Sequence, residues 1–201
     1  MGTLVRRGIL AGCVAAAALL VTGCATSAPE SSEPEVLSAS KAGGLYLSAV
    51  CPVNAEWDRV DLEIDRLRLA LGRDEASTRD AARALTDLAK ASERSAKLLE
   101  PKRQSWPSVA EPAIDAVRET LRADRTQALR VAKLPADELG GYVWQGGDEI
   151  AAAAAEARAA LGLPADAEDA CAQWSEQQAA SEEPSASPKP SEESPKPKHS
   201  D

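Results

Sequence analysis

The chain has 201 residues, a net charge of −9 and no Phe. Hydrophobic residues make up 44% of it and aromatic residues only 3%, so its apolar content is aliphatic, with Ala and Leu outnumbering β-branched residues. That balance favours helix over sheet, and the acidic charge argues against nucleic acid and anionic lipid headgroups as partners, because both reward clustered Lys and Arg.

The first element is a leader over residues 1–23. Arg6 and Arg7 supply a positive start, and Gly8 to Thr22 is an uncharged run, the layout of a secretory signal. The run is short for a transmembrane helix, which needs about 20 apolar residues. It closes on Val21-Thr22-Gly23-Cys24. This segment resembles the lipobox of bacterial lipoproteins. The resemblance implies lipid (diacylglycerol and palmitate-type acyl chains) on Cys24, cleavage just before it, and an anchor on the extracytoplasmic face of the cell membrane. Leu10-Ala11-Gly12-Cys13 fits the same pattern. Cleavage there would leave only Gly8 to Gly12 after the arginines, less than the roughly 7–15 apolar residues a signal needs. Arg6-Arg7-Gly8-Ile9-Leu10 also partly resembles a twin-arginine export signal, but Val5 stands where that family has Ser or Thr, and general secretion is the simpler reading. The Ala-rich, Arg-over-Lys composition resembles that of actinobacterial lipoproteins and carries no activity with it. Removing the 23 leader residues, two of them arginine, leaves 178 residues with a net charge of −11.

Residues 24–42 are rich in Ser, Pro, Glu and Ala and read as a flexible stalk. Residues 43–180 carry the folded domain. Residues 181–201, with five prolines among Glu, Ser and Lys, read as a disordered tail, too polar to offset its ordering entropy.

Within the domain, Val50, Val53, Trp57, Val60, Ile64, Leu67 and Leu71 recur at alternating spacings of three and four. That is one face of a helix. Gly72 ends it. Pro52 places the start either at about Cys51, with Pro52 in the first turn, or near Gly44 with Pro52 inside. A second helix is expected over residues 75–100 with Asp74 as N-cap. Its seam is Ala81, Leu85, Leu88, Ser92, Ser95 and Leu99, a stripe of small residues suited to close approach. A third spans residues 108–133, with Ala110, Ile114, Val117, Leu121, Ala128 and Val131 on one face. Asp124 and Arg125 interrupt that stripe: a buried charge here would mark a site or specify helix register, whereas a slight rotation of the helix places both at its rim, the simpler reading. The fourth region is less regular: a short helix begins near Asp137, Gly140-Gly141 and Gly146-Gly147 bracket Tyr142-Val143-Trp144-Gln145, and Asp148 to Leu161 forms an Ala-rich helix. A short terminal helix over residues 167–180 holds Cys171 and Trp174. Four helices joined by short turns are expected to form an all-α, up-down antiparallel four-helix bundle.

Cys51 and Cys171 remain once Cys24 is lipidated. In an oxidising compartment an isolated pair is most simply a disulfide. Its loop of about 120 residues corresponds to roughly 4–5 kcal/mol in the chain-entropy view. The bundle topology brings the two to one end of the domain. Chemistry is hard to find elsewhere. The sole His is His199, in the tail, which removes di-iron bundle and Cys/His zinc motifs. No Gly-x-Ser-x-Gly elbow, phosphate-binding loop or calcium-loop pattern is present. The charges from Glu56 to Arg68 fall at i,i+3 and i,i+4 spacings and read as a solvated face.

These readings point to a membrane-anchored extracytoplasmic lipoprotein that is not an enzyme and uses no cofactor. A helical module that contacts another envelope protein or serves a structural role is one expectation. The other is a binding lipoprotein for a small or cell-wall-derived ligand, using Tyr142 and Trp144. The two part company on whether Trp144 lines a cavity or is packed solid.

Overall fold

The structure is a computed structural model that describes residues 34–100 and 104–182. The leader, Cys24, residues 24–33 of the expected stalk and the tail from residue 183 lie outside the described residues. Among the described residues six helices follow in order: α1 (Ala39–Leu71), α2 (Arg79–Leu98), α3 (Glu111–Val131), α4 (Ala136–Gly140), α5 (Gly147–Ala160) and α6 (Ala167–Glu182). The chain is mostly helical, as its composition leads one to expect. One unexpected sheet is present: β1 (Glu35–Val36) pairs in parallel with β2 (Gln104–Ser105).

The sheet moves the start of the fold. Leu37 N donates to Ser105 O at 2.9 Å, and Leu37 and Ala42 are buried. Residues 34–42 therefore belong to the domain, and the expected stalk boundary at 42 is too late. The Pro and Glu that mark the stalk end at Pro34 and Glu35, and the apolar Leu37 just after them is taken into the core.

Ser38 caps α1, its hydroxyl accepting from Lys41 N at 3.4 Å. The helix then continues through Pro52, so the reading with Pro52 inside holds, but the start lies at Ala39, five residues before the expected Gly44. Proline has no N–H, which leaves the Ser48 carbonyl without its helical donor. The next carbonyl, Ala49 O, accepts from the buried Ser95 hydroxyl on α2. The proline turn thus lies against a polar position of the neighbouring helix.

All six seam positions of α2 are buried, with Ala89 and Ala96 beside them. These small side chains let α2 lie closely against both α1 and α3. The start of α2 differs from expectation. Asp74 sits in a left-handed turn with φ 60°, so it does not cap, and the helix begins at Arg79 with Thr78 in the cap position.

In α3 the expected stripe is buried throughout, and Asp124 is buried with it, at 3% exposure. The rim placement is wrong for Asp124. Arg125 does reach the surface, where it meets Glu93 at 3.3 Å. The remaining helices dock on these three: α5 along α3, and α4 and α6 on α1. Tyr46 on α1 donates to Ala154 O on α5 at 3.3 Å. The core is centred on Leu85, Leu88, Leu99, Ile114, Val131 and Leu139. Cys51 on α1 and Cys171 on α6 have their sulfurs at bonding distance and their Cα atoms 5.6 Å apart.

Candidate functional site

The turn between α4 and α5 carries Tyr142 and Trp144, and two contacts and one backbone conformation hold it. Arg68 on α1 donates through Nε to Gly140 O at 2.8 Å. Gly140 itself approaches α1 so closely that a Cβ there would stand 2.8 Å from Leu71 Cδ1. Gly146 starts α5 with φ 78°, a conformation that glycine adopts without strain. Both expected glycine pairs thus have a local reason, one for proximity and one for backbone conformation.

Held this way, Trp144 packs edge to face with Trp57 of α1, ring centroids 4.5 Å apart and planes at 86°. Tyr142 packs perpendicular to Trp144 at 6.1 Å and 81°, and its hydroxyl accepts from Arg130 at 3.0 Å. The three rings line a cleft of about 360 Å³. Val60, Ile64, Leu85, Val131 and Leu139 form its apolar floor, and Asp61, Asp65 and Arg68 stand over it from α1. Trp144 therefore lines a cavity and is not packed solid.

Trp144 also reaches the other way. Its Nε1 donates to Asp124 Oδ1 at 3.1 Å. With its amide turned to suit the donors around it, Gln127 also accepts from Trp144 Nε1, at 2.9 Å, and from Gln145 N, at 3.0 Å. Burial pushes the Asp124 carboxyl up to about 6, against the downward pull of the Trp144 hydrogen bond. Asp124 lines a second, largely apolar cleft of about 270 Å³ between α1, α3 and α5, where Tyr46 and Arg158 are also found. Trp57 lines both clefts. The Trp57–Trp144 pair is thus set at the boundary between a charged-rimmed cleft and a more apolar one.

Among the expected site residues, the structure brings Tyr142 and Trp144 together and places Cys51 against Cys171; Cys24 lies outside the described residues. It adds Trp57, Asp61 and Asp124. Trp57 is the one aromatic residue on the α1 seam, and Asp124 is the carboxylate that breaks the α3 seam; both signals are visible in sequence but read there as packing and rim. Among the described residues no group of three or more His, Cys, Asp or Glu side chains is placed to hold a metal ion. None of the helices among the described residues is long and apolar enough to cross a membrane. No protein family, no curated protein and no solved structure gives a significant match to this chain.

Proposed function

We propose that this protein is a lipid-anchored, extracytoplasmic binding protein that holds a small ligand in the cleft of Trp57, Tyr142 and Trp144, without turning it over. The observation that carries the reading is the position of Trp144. A concave site of a few hundred Å³ with an apolar floor, aromatic walls and a few polar groups is the usual form of a small-molecule site. The volume of about 360 Å³ and the mixed lining fit that form. The lipobox ending at Cys24 supplies the anchor in this reading, and the domain carries the ligand at the membrane surface. An up-down course of the long helices fits the same picture, since it returns the chain to the side of α1 where Cys51 meets Cys171 before the tail departs.

Two measurements test the proposal. Detergent phase partitioning of the cell-expressed chain checks the anchor: the wild type is expected in the detergent phase and the Cys24→Ala variant in the aqueous phase, because acyl chains confer membrane affinity through their buried methylenes. Thermal-shift screening against small molecules of the cell envelope checks the cleft. A ligand is expected to raise the melting temperature of the wild type and not that of Trp144→Ala. The same shift in both proteins contradicts the site.

A second reading, a module that contacts another envelope protein, rests on Leu62 and Leu69. They are one heptad apart on α1 and 50% and 65% exposed. Two leucines are a small patch beside the several hundred Å² common on monomers, and the cleft is the stronger feature.

A further inference from the structure

We infer that the occupant of the aromatic cleft is an organic cation, an ammonium or quaternary ammonium group seated among Trp57, Tyr142 and Trp144 under the Asp61 carboxylate. The inference rests on the proposed ligand role of that cleft and adds the charge of what fills it.

Three charged side chains line the cleft, and they do not cancel. The Arg68 guanidinium is committed on both sides: it donates to Asp65 Oδ1 at 2.8 Å and to Gly140 O at 2.8 Å. Asp65 therefore has its cation. Asp61, one turn before it, takes part in no ion pair among the described residues. Its surroundings disfavour its charge. Desolvation at the cleft raises its pKa first, and the carboxylates of Asp58 and Asp65 raise it further, with only Arg68 opposing. A cation in the cleft answers the local excess of negative charge.

The walls suit the same occupant. An indole or phenol face attracts a cation through its quadrupole, with tryptophan the strongest of the three aromatic types. The rings meet at 86° and 81°, so they build a corner and not a closed stack. Methylated ammonium groups carry a diffuse charge on an apolar surface, which fits aromatic walls over a floor of Val60, Ile64 and Leu139. An anion would meet Asp61 and Asp65. A neutral sugar could stack on the indoles but would leave the Asp61 charge unanswered.

The test is a titration of the whole folded chain, followed by tryptophan fluorescence, with three probes: choline, its neutral isostere 3,3-dimethylbutan-1-ol, and N-acetylglucosamine. Choline is expected to saturate, with the isostere about tenfold or more weaker. Added salt is expected to weaken choline binding, since the rim is exposed. Asp61→Asn is expected to weaken choline about three- to tenfold and to leave the isostere unchanged. Asp61 is a surface residue whose charge the fold disfavours, so this variant is expected to melt with the wild type or slightly above it. If the isostere binds as well as choline, or N-acetylglucosamine saturates and choline does not, the cation is wrong while the ligand-binding reading stands. If none of the probes saturates, the cation inference falls, and the thermal-shift comparison with Trp144→Ala then decides the ligand reading separately.

Discussion

Trp144 Nε1 donates to Asp124 Oδ1 across 3.1 Å, and this bond ties the α4–α5 turn to a buried position of α3. An aromatic side chain that lines an open cleft is thereby anchored to the core. The same bond gives a buried carboxyl its only hydrogen-bond partner among the described residues.

That carboxyl makes stability depend on pH. Its pKa is raised in the folded protein, to about 6, so between about pH 4 and 6 the folded state binds more protons than the unfolded state. Stability from this group is present at low pH and falls as pH rises through that window. At about 1.4 kcal/mol per pKa unit, the loss by pH 7 is about 2–3 kcal/mol. Asp124→Asn keeps an acceptor for Trp144 and removes the charge. Urea unfolding of both proteins is expected to show the variant gaining on the wild type from pH 4 to 6.5, with a constant difference above. A difference independent of pH across that range would show that Asp124 does not titrate there.

Trp144→Phe removes the donor and keeps a ring in place. The loss expected is about 1–3 kcal/mol, since a buried acceptor is left without its partner. Without the bond that lowers it, the Asp124 midpoint is expected to move further up, read as the pH at which stability stops falling. An unchanged midpoint would mean that Gln127, and not Asp124, is the main acceptor of the indole N–H.

Cys51 and Cys171 are expected to be oxidised. Intact mass without reduction should be two hydrogens below the reduced mass, and alkylation should label neither residue. Cys171→Ser is expected to cost about 2–5 kcal/mol. Alkylation of both in the native exported protein would contradict the pairing.

The Ser95 hydroxyl donates to Ala49 O within the Pro52 region. Ser95→Ala is expected to destabilise by about 1 kcal/mol as the net value of one hydrogen bond, measured by urea unfolding. A cost near zero would show that the small size of this side chain, and not its hydroxyl, is what the α1–α2 contact uses.

The three long seams were legible because each follows the helical period with few interruptions. Every α2 position from Ala81 to Leu99 on that stripe is buried. The ends were less legible because they depend on single residues. Asp74 suits a cap chemically, but the chain turns left-handed there and starts α2 five residues later. The β1–β2 pairing joins residues almost seventy positions apart, with no periodicity in either two-residue strand to betray it. The site was half legible. Tyr142 and Trp144 drew attention through the glycines around them. Trp57 was concealed by its place on a regular seam: only the fold shows that this position faces the turn carrying Trp144. Asp124 was visible as an interruption, but its burial depends on the indole that reaches it from another element.

The claim that a small ligand sits against Trp57 and Trp144 is tested most directly by the indole N–H resonances of the full chain during titration with choline and with hits from the envelope panel. The sequence has four tryptophans, and Trp106 is an internal control, buried with its Nε1 donating to Leu99 O at 3.0 Å. The account predicts that the Trp57 and Trp144 signals shift together and saturate with one midpoint while Trp106 stays fixed. Saturable binding that leaves Trp57 and Trp144 unmoved would contradict it.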